Sequence, residues 1–238
     1  MSTTPKASEF AEHEIRVFSR LREAGFRPNV IFDVGASNGV WSALVSEVFP
    51  DATFHLFEPL AEARSDYQES LQHQMQGHQR FSLHNIALGA GETKIEMWMH
   101  ADGYSSTILD MQGHPDFKQR VEVNQHTLDG YVSNNGLALP DLIKIDTQGA
   151  EHVILSHAVE CVRHAKVIFA ETWLTRGYGP DTPLITELME LLSASGFVLA
   201  EIGHRFYDGQ HSLYGCDGFF LKKEFLESLT GSMPRESW

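Results

Sequence analysis

The chain has 238 residues and a formal net charge of −14, from 18 Lys and Arg against 32 Asp and Glu. This length suits one large domain, and a hydrophobic content of 42% is enough for a core. An acidic surface repels phosphate backbones, which argues against nucleic acid as a partner. The two cysteines, Cys161 and Cys216, fit neither a disulfide framework nor a zinc-ligand spacing.

No stretch of the sequence predicts a targeting or membrane segment. Residues 1–8 lack the apolar core of a signal peptide, and no run reaches the roughly 18 apolar residues of a membrane span. We therefore expect a cytoplasmic protein that does not bind membranes. The 13 histidines include no H-E-x-x-H motif, and we predict that most are solvated and that no metal is bound. The oligomeric state is not indicated.

The first elements are a helix and the opening of a βαβ unit. Residues 7–24 are amphipathic and predict a helix that either packs on a sheet or covers a ligand. An apolar strand at 30–34 follows, with an acid, Asp33, interpreted as its end, and then a turn rich in small residues and a second helix. Glycine lets a ligand approach the backbone, and the new helix presents free N–H groups. The cofactor-binding candidates here are Asp33, Gly35, Ala36, Asn38 and Gly39.

The spacing of this turn bears on the kind of ligand. A dinucleotide site of the form G-x-G-x-x-G, counted from Gly35, would need glycine where Ser37 and Val40 stand. The pattern that grips a pyrophosphate is therefore broken. A ligand without a diphosphate suits the turn better, and we predict S-adenosylmethionine; an NAD-dependent oxidoreductase is the disfavoured alternative.

The next two strands supply further cofactor candidates. A strand at 53–57 ends in Glu58 and a proline, before a predicted helix at 60–75. Glu58 lies about one α/β unit after Asp33, where an acid can accept hydrogen bonds from both hydroxyls of a ribose; the alternative is that it only caps the helix. A third strand is predicted at 81–88, and its end, with Asn85 and Ala87, would lie beside the adenine.

Residues 92–127 are predicted to be a β-rich insertion. Two alternating stretches, at 94–99 and 121–126, flank a polar loop that would form a lid or a substrate wall. The substrate-binding candidates on this loop are Tyr104, Ser105, Ser106 and His114. An irregular loop at 173–183 and the strand at 197–206 add Trp173 and His204 to them.

A second informative stretch begins at residue 141. A short apolar strand ends in Asp146, a glycine turn follows, and then a helix; the strand at 166–171 likewise ends in Glu171. Lys144 lies inside the first of these strands and needs a carboxylate partner, so a structural ion pair is favoured over a catalytic role, and Glu171 is one candidate partner. Strands at 197–206 and 213–222 would close the sheet as an antiparallel edge.

Taken together, strands alternate with helices, which predicts a mostly parallel sheet with helices on both faces. Ligands of such sheets bind at the carboxyl ends of the strands. Four acids are predicted to converge there, and unless a ligand occupies the space they would repel one another. These four are Asp33, Glu58, Asp146 and Glu171.

Five motifs in order carry a resemblance to a known family. They are Ile31-Phe32-Asp33-Val34-Gly35-Ala36, His55-Leu56-Phe57-Glu58-Pro59, Asn85-Ile86-Ala87-Leu88-Gly89, Ser105-Ser106-Thr107 and the run 142–151. Together they resemble the FkbM-type methyltransferases over residues 30 to about 222, with the run at 142–151 as the most specific part. Ser37 departs from the pattern, where Asn is more usual.

The resemblance implies an α/β, class I methyltransferase (Rossmann-like) fold, with a doubly wound, mostly parallel seven-stranded sheet. It implies S-adenosylmethionine as cofactor, with Asp33, Gly35, Glu58 and Asn85 beside it, and transfer of a methyl group to a hydroxyl of a sugar- or polyketide-like small molecule. Asp146 would meet both cofactor and acceptor. We predict an N-terminal helical extension at 1–28, a methyltransferase domain at 29–224 and a tail at 225–238.

For the chemistry, Asp146 and Glu171 are the catalytic candidates, one as base and one as orienter. Histidines 100, 114 and 204 are second candidates for the base. Alternatively, the two carboxylates hold a Mg²⁺ that polarises the hydroxyl, although no paired acidic motif supports this. A different class remains open as well: a methyltransferase-like protein that senses the cofactor or scaffolds partners without turnover.

Overall fold

The structure is a computed structural model that describes residues 7–76, 79–100 and 104–230. The start of the predicted extension, before residue 7, and the predicted tail after residue 230 lie outside the described residues. The helices are α1 (Ala7–Glu23), α2 (Val40–Val48), α3 (Ser65–Met75), α4 (Leu128–Asn134), α5 (Glu151–Ser156), α6 (Val159–His164), α7 (Ile185–Ala194) and α8 (Lys223–Thr230). The strands are β1 (Val30–Val34), β2 (Thr53–Phe57), β3 (Phe81–His84), β4 (Ala87–Leu88), β5 (Thr93–His100), β6 (Phe117–His126), β7 (Leu142–Ile145), β8 (Val167–Trp173), β9 (Phe197–Tyr207) and β10 (Leu213–Lys222).

Seven of the strands form one sheet in the order β3-β2-β1-β7-β8-β10-β9. The first five are parallel, and β10 runs antiparallel to both of its neighbours. The mostly parallel α/β sheet and its antiparallel edge are therefore confirmed, while the doubly wound classification and the domain boundaries stay predictions. Within the described parts of the chain, no helix is long and apolar enough to cross a membrane.

Apolar cores lie on both faces of this sheet. Successive side chains of a strand point to opposite faces, and in β1 Ile31 joins a core with α1 and α2, whereas Phe32 joins a core with α5 and α6. All five residues of β1 and all four of β7 are buried. Burial on both sides explains why these strands read as continuous apolar runs rather than as alternating ones.

Helix α1 packs on the sheet, which settles one of the two possibilities that its amphipathic pattern left open. Phe18 is fully buried, and its ring meets those of Trp41, Phe169 and Phe219 at centroid distances of 5.8, 5.9 and 5.3 Å. Burying a side chain of this size contributes about 1.5–3 kcal/mol. The helix therefore belongs to the core of the domain.

The predicted third strand at 81–88 is wrong in its length. The chain turns at Asn85, where the N–H of Ile86 donates to the carbonyl of His84 at 3.0 Å, so β3 ends at His84. Strand β4 then joins β6 and β5 in a separate three-stranded sheet. The predicted helix at 60–75 also begins later, at Ser65, because residues 60–63 form turns first.

Candidate functional site

A cavity lies at the carboxyl ends of β1, β2 and β7. Four of the cofactor candidates line it, namely Gly35, Glu58, Ala87 and Asp146. Its walls also include Ile86 and Ile154 among the apolar side chains, and Tyr104, Ser105 and Ser106 from the insertion. Asp33, Ala36, Asn38 and Gly39 do not border it, and Asn85 borders a neighbouring groove. The structure thus gathers about half of these candidates around one space.

Glu58 is a buried carboxylate at the wall of the cavity, 5% exposed. One oxygen accepts the N–H of Ser37 at 2.8 Å and the other accepts the N–H of Leu60 at 2.9 Å. Burial raises the pKa of Glu58 to about 6. Each carboxylate oxygen can accept more than one hydrogen bond. The side chain therefore holds two turns together and still has acceptor capacity for a ligand.

Asp33 lies inside β1 rather than at its end, and it is completely buried. Its carboxylate pairs with the ammonium of Lys144 at 3.0 Å and accepts the hydroxyl hydrogen of Ser42 at 2.6 Å. Lys144 in turn donates to the carbonyl of Gly35 at 2.6 Å. The predicted structural ion pair of Lys144 is present, with Asp33 as its main partner. Through Lys144, Asp33 thus stabilises the glycine turn after β1.

The turn after β7 carries Asp146 at the edge of the cavity, with its side chain 41% exposed. One carboxylate oxygen accepts the side-chain N–H of Gln148 at 2.8 Å, and the other lies 3.8 Å from Lys144. The buried Glu151 accepts the N–H groups of Thr147 at 2.8 Å and Gly149 at 3.1 Å. This second turn is therefore built around one carboxylate and presents another to the cavity.

Further buried carboxyls lie beyond the cavity, on the α1 face of the sheet. Glu171 is placed inside β8 and not at its end, so that the predicted position was wrong; one of its oxygens has no hydrogen-bond partner. Asp217 on β10 is its register partner. From α1, Glu14 accepts the indole N–H of Trp41 at 3.0 Å, and burial raises the pKa of Glu14 to about 7.

Sequence reasoning missed both Glu14 and Asp217, although each had a signal. Glu14 stands one helical turn before Phe18, on the apolar face of α1, where a charge is out of place. Asp217 interrupts an apolar strand, as Lys144 does. An acid on an otherwise buried face needs a partner or a function, and both positions could have been selected by that rule.

The substrate candidates fall in more than one place. Tyr104, Ser105 and Ser106 line the cavity, whereas residues 101–103 of the same loop lie outside the described residues. The ring of His114 packs on that of Phe117. The buried Trp173 lies against the rings of Tyr178 and Tyr214, and His204 lines a separate groove.

Metal-ligating side chains do not cluster in the part of the chain that the structure describes. Among the residues it describes, no group of three or more His, Cys, Asp and Glu side chains could hold a metal ion. The Mg²⁺ alternative therefore stays a hypothesis, which chelation of the metal tests.

We expect the unfolding temperature to rise as the pH is lowered from about 8 to about 5.5. Burial raises the pKa of Glu14 and Glu151 to about 7 and that of Glu58 to about 6, from 4.5. The folded protein then binds protons that the unfolded chain does not, so stability grows as the pH falls through these values. Below 6.5 the half-buried His84, with its pKa lowered to about 4, acts in the opposite direction, as do His55 and His204, whose pKa burial also lowers. They are outnumbered, because burial raises the pKa of Glu171 and Asp217 as well.

Thermal scans at constant ionic strength measure this dependence. Glu151→Gln mimics the neutral carboxyl and should make the rise smaller, whereas Glu122→Gln, at an exposed side chain, should leave it unchanged. An unfolding temperature that is flat or falls from pH 8 to 5.5 in the unmodified protein contradicts the expectation.

The sheet order and the cavity at the carboxyl edge define the class first: an α/β protein with a ligand site where such sheets bind nucleotide-like molecules. Residues 33–199 match the methyltransferase FkbM domain, and the chain belongs to this family. The resemblance read from the motifs is therefore confirmed. A comparison with curated proteins gave no match.

A solved structure shares this fold at low sequence identity. The methyltransferase FkbM from Methylobacillus flagellatus KT is 16% identical, with a TM-score of 0.53, over 85% of this chain and 47% of its own. This chain thus spans about half of that relative. Precorrin-6y C5,15-methyltransferase from Geobacter metallireducens GS-15 is 15% identical (TM-score 0.48, 93% of both chains). The N-terminal domain of EvdMO1 with SAH bound is 13% identical (TM-score 0.48, 92% and 84%).

Proposed function

We propose that the protein is an S-adenosylmethionine-dependent O-methyltransferase acting on a hydroxyl of a sugar- or polyketide-like small molecule. Membership of the FkbM family supports methyl transfer in general. The observation that carries the finer proposal is the cavity at the carboxyl edge, with Glu58 on one side and Asp146 on the other. We further propose a cytoplasmic enzyme whose partner is the small acceptor and not nucleic acid or a membrane.

The lining of the cavity fits this cofactor. Glu58 has acceptor capacity for two ribose hydroxyls, and the apolar side chains of Ile86 and Ile154 suit a flat adenine ring. The N–H of Ser37, which a dinucleotide site would turn toward a pyrophosphate, already donates to Glu58. This use of Ser37 disfavours NAD on structural grounds.

The remaining groups suit an acceptor hydroxyl. S-Adenosylmethionine supplies an electrophilic methyl group, and the chain has to position a hydroxyl oxygen and remove its proton. Tyr104, Ser105 and Ser106 offer a wall for the acceptor, and Asp146 lines the same cavity. Glu171 lies behind that wall, next to Asp146 and Gln148, and is the second carboxylate that we propose for proton transfer. Positioning can supply about 7–11 kcal/mol, and a general base a further factor of about 10²–10⁴.

Two measurements test the proposal. Isothermal titration should show binding of S-adenosylmethionine and S-adenosylhomocysteine but not of NAD; binding of NAD alone points to an oxidoreductase. A radiolabelled methyl assay against a panel of hydroxyl compounds should show transfer to oxygen. Cofactor binding with no transfer to any member of a broad panel favours the cofactor-sensing or scaffolding alternative.

We expect cofactor affinity to fall as the pH drops below about 6. Glu58 must be ionised to accept ribose hydroxyls, and burial raises its pKa to about 6, so the ionised fraction is lost on acidification through that value. At pH 7.5, Glu58→Gln should weaken binding by about 10- to 150-fold, the size of one hydrogen bond to a charged group. At pH 5 the variant and the parent protein should bind more nearly alike.

Titration calorimetry at several pH values measures both effects. Glu62→Gln is the matched control, because Glu62 is an exposed acid in the turns that follow Glu58 and does not line the cavity. If Glu58→Gln binds as tightly as Glu62→Gln at pH 7.5, Glu58 does not contact the cofactor.

A further inference from the structure

Two buried carboxyls face each other across the β8–β10 pair. Glu171 and Asp217 are direct register partners of an antiparallel pair, which places their Cβ atoms about 4.5–5.5 Å apart on the same face. They are 9% and 8% exposed. Two residues away on this face, the rings of Phe169 and Phe219 meet at 4.6 Å, so the strands are tightly packed there. The two carboxyls are therefore held together by the sheet itself.

The surroundings of the pair are mostly acidic. The titratable groups that face the pair are Glu14 on α1, Lys144 on β7, Asp146 after β7, Glu151 on α5 and Tyr214 on β10. The side chain of Gln148 adds a hydrogen bond to Glu171, and the backbone of His204 on β9 adds one to Asp217. Within this set the cation is Lys144, and it is already engaged by Asp33 and the Gly35 carbonyl. Burial and the neighbouring carboxylates raise the pKa of both Glu171 and Asp217 well above the usual range. Two adjacent carboxyls of this kind retain one proton between them.

We propose that Asp217 holds this proton and donates it in a hydrogen bond to Glu171, which keeps Glu171 ionised and its unpartnered oxygen free to act as the base. Asp217 is then a positioning residue, and Glu171 is the catalytic one. Two observations select Glu171: its Oε2 is buried and unpartnered, and its neighbours Asp146 and Gln148 line the cavity, so that it lies directly behind the cavity wall. This inference rests on the proposed function, because the base is assigned to methyl transfer.

The step balances. The acceptor O–H bond breaks and its proton goes to Glu171, while the oxygen forms a bond to the methyl carbon and the electron pair of the breaking C–S bond returns to sulfur. The sulfonium becomes a neutral thioether, and the carboxyl pair goes from one proton and one negative charge to two protons and none.

The test compares two substitutions at one site. Asp217→Leu removes the hydrogen-bond donor, and Asp217→Asn keeps one. In Asp217→Leu the acidic limb of the pH profile of kcat should move up by about one to two units, the effect of losing one hydrogen bond to a charged group. In Asp217→Asn it should stay within about half a unit, with kcat reduced less than about tenfold. Glu122→Gln removes a charge at an exposed side chain of β6, away from the pair, and is the control.

A readout without turnover separates this inference from the proposed function. In protein labelled with ¹³C at the glutamate side chains, the Glu171 signal is assigned by its loss in Glu171→Gln. The pKa read from this signal should rise by the same one to two units in Asp217→Leu and should change little in Asp217→Asn. An unchanged titration in Asp217→Leu overturns the pairing. A shifted titration in a protein that methylates nothing overturns the proposed function alone.

Discussion

Replacing Glu171 with Gln is expected to lower kcat by about 10²–10⁴-fold, the size of a general-base contribution. Gln keeps the shape of the side chain but cannot accept the proton of the acceptor. Glu171 does not line the cavity that we assign to the cofactor, so the affinity of the variant for the cofactor should stay within about threefold of that of the unmodified protein. Single-turnover methyl transfer, with cofactor binding measured separately by calorimetry, distinguishes these two quantities.

Asp146→Asn is the matched comparison. Asp146 lines the cavity and accepts a hydrogen bond from Gln148, so its replacement should weaken cofactor binding as well as turnover. If both variants keep full turnover, neither carboxylate takes part in the chemistry. Activity that is lost on treatment with EDTA and restored by Mg²⁺ supports instead the metal-assisted alternative.

Much of the fold could be read from the sequence, because the central strands are buried on both faces. Continuous apolar runs such as 30–34 and 142–145 are typical of buried parallel strands in a chain where helical patterns lie between them. The glycines in the turns after the strands were informative as well. Gly35 and Gly149 both have a positive φ, of 75° and 101°, a conformation that favours glycine. The positions of these strands followed from such local signals, whereas their order in the sheet did not.

The sequence did not indicate whether each acid lies inside the sheet or at its edge, or which side chain it pairs with. Asp33 looked like a residue of the strand end, but Lys144, more than a hundred residues away, draws it into a buried ion pair. The pairing of Glu171 with Asp217 depends on the antiparallel register of β8 and β10, which no local pattern encodes. Such contacts are set by tertiary packing, so a sequence can propose the acids without assigning their partners.

Gly35 shows how the turn after β1 contacts the turn after β7. Its positive φ and its place on the cavity wall agree with a glycine that lets a ligand approach. The closest atom to a Cβ built there, however, belongs to the protein: the backbone oxygen of Asp146, at 1.9 Å. The first turn therefore rests directly on the second, and glycine permits this contact between β1 and β7.

Gly35→Ala is accordingly expected to cost more than about 3 kcal/mol of unfolding free energy and to lower the yield of folded protein. Left-handed backbone at a non-glycine residue costs about 1–2 kcal/mol, and overlap with a backbone oxygen adds to that because the two turns have to separate. Gly196→Ala is the control: its φ is 84°, and nothing lies within 4 Å of its Cβ, so only the backbone term applies. Urea unfolding of both variants measures the difference. Equal losses in the two mean that the turns can move apart without penalty, and then the spacing between Gly35 and Asp146 does not fix the geometry of the cavity.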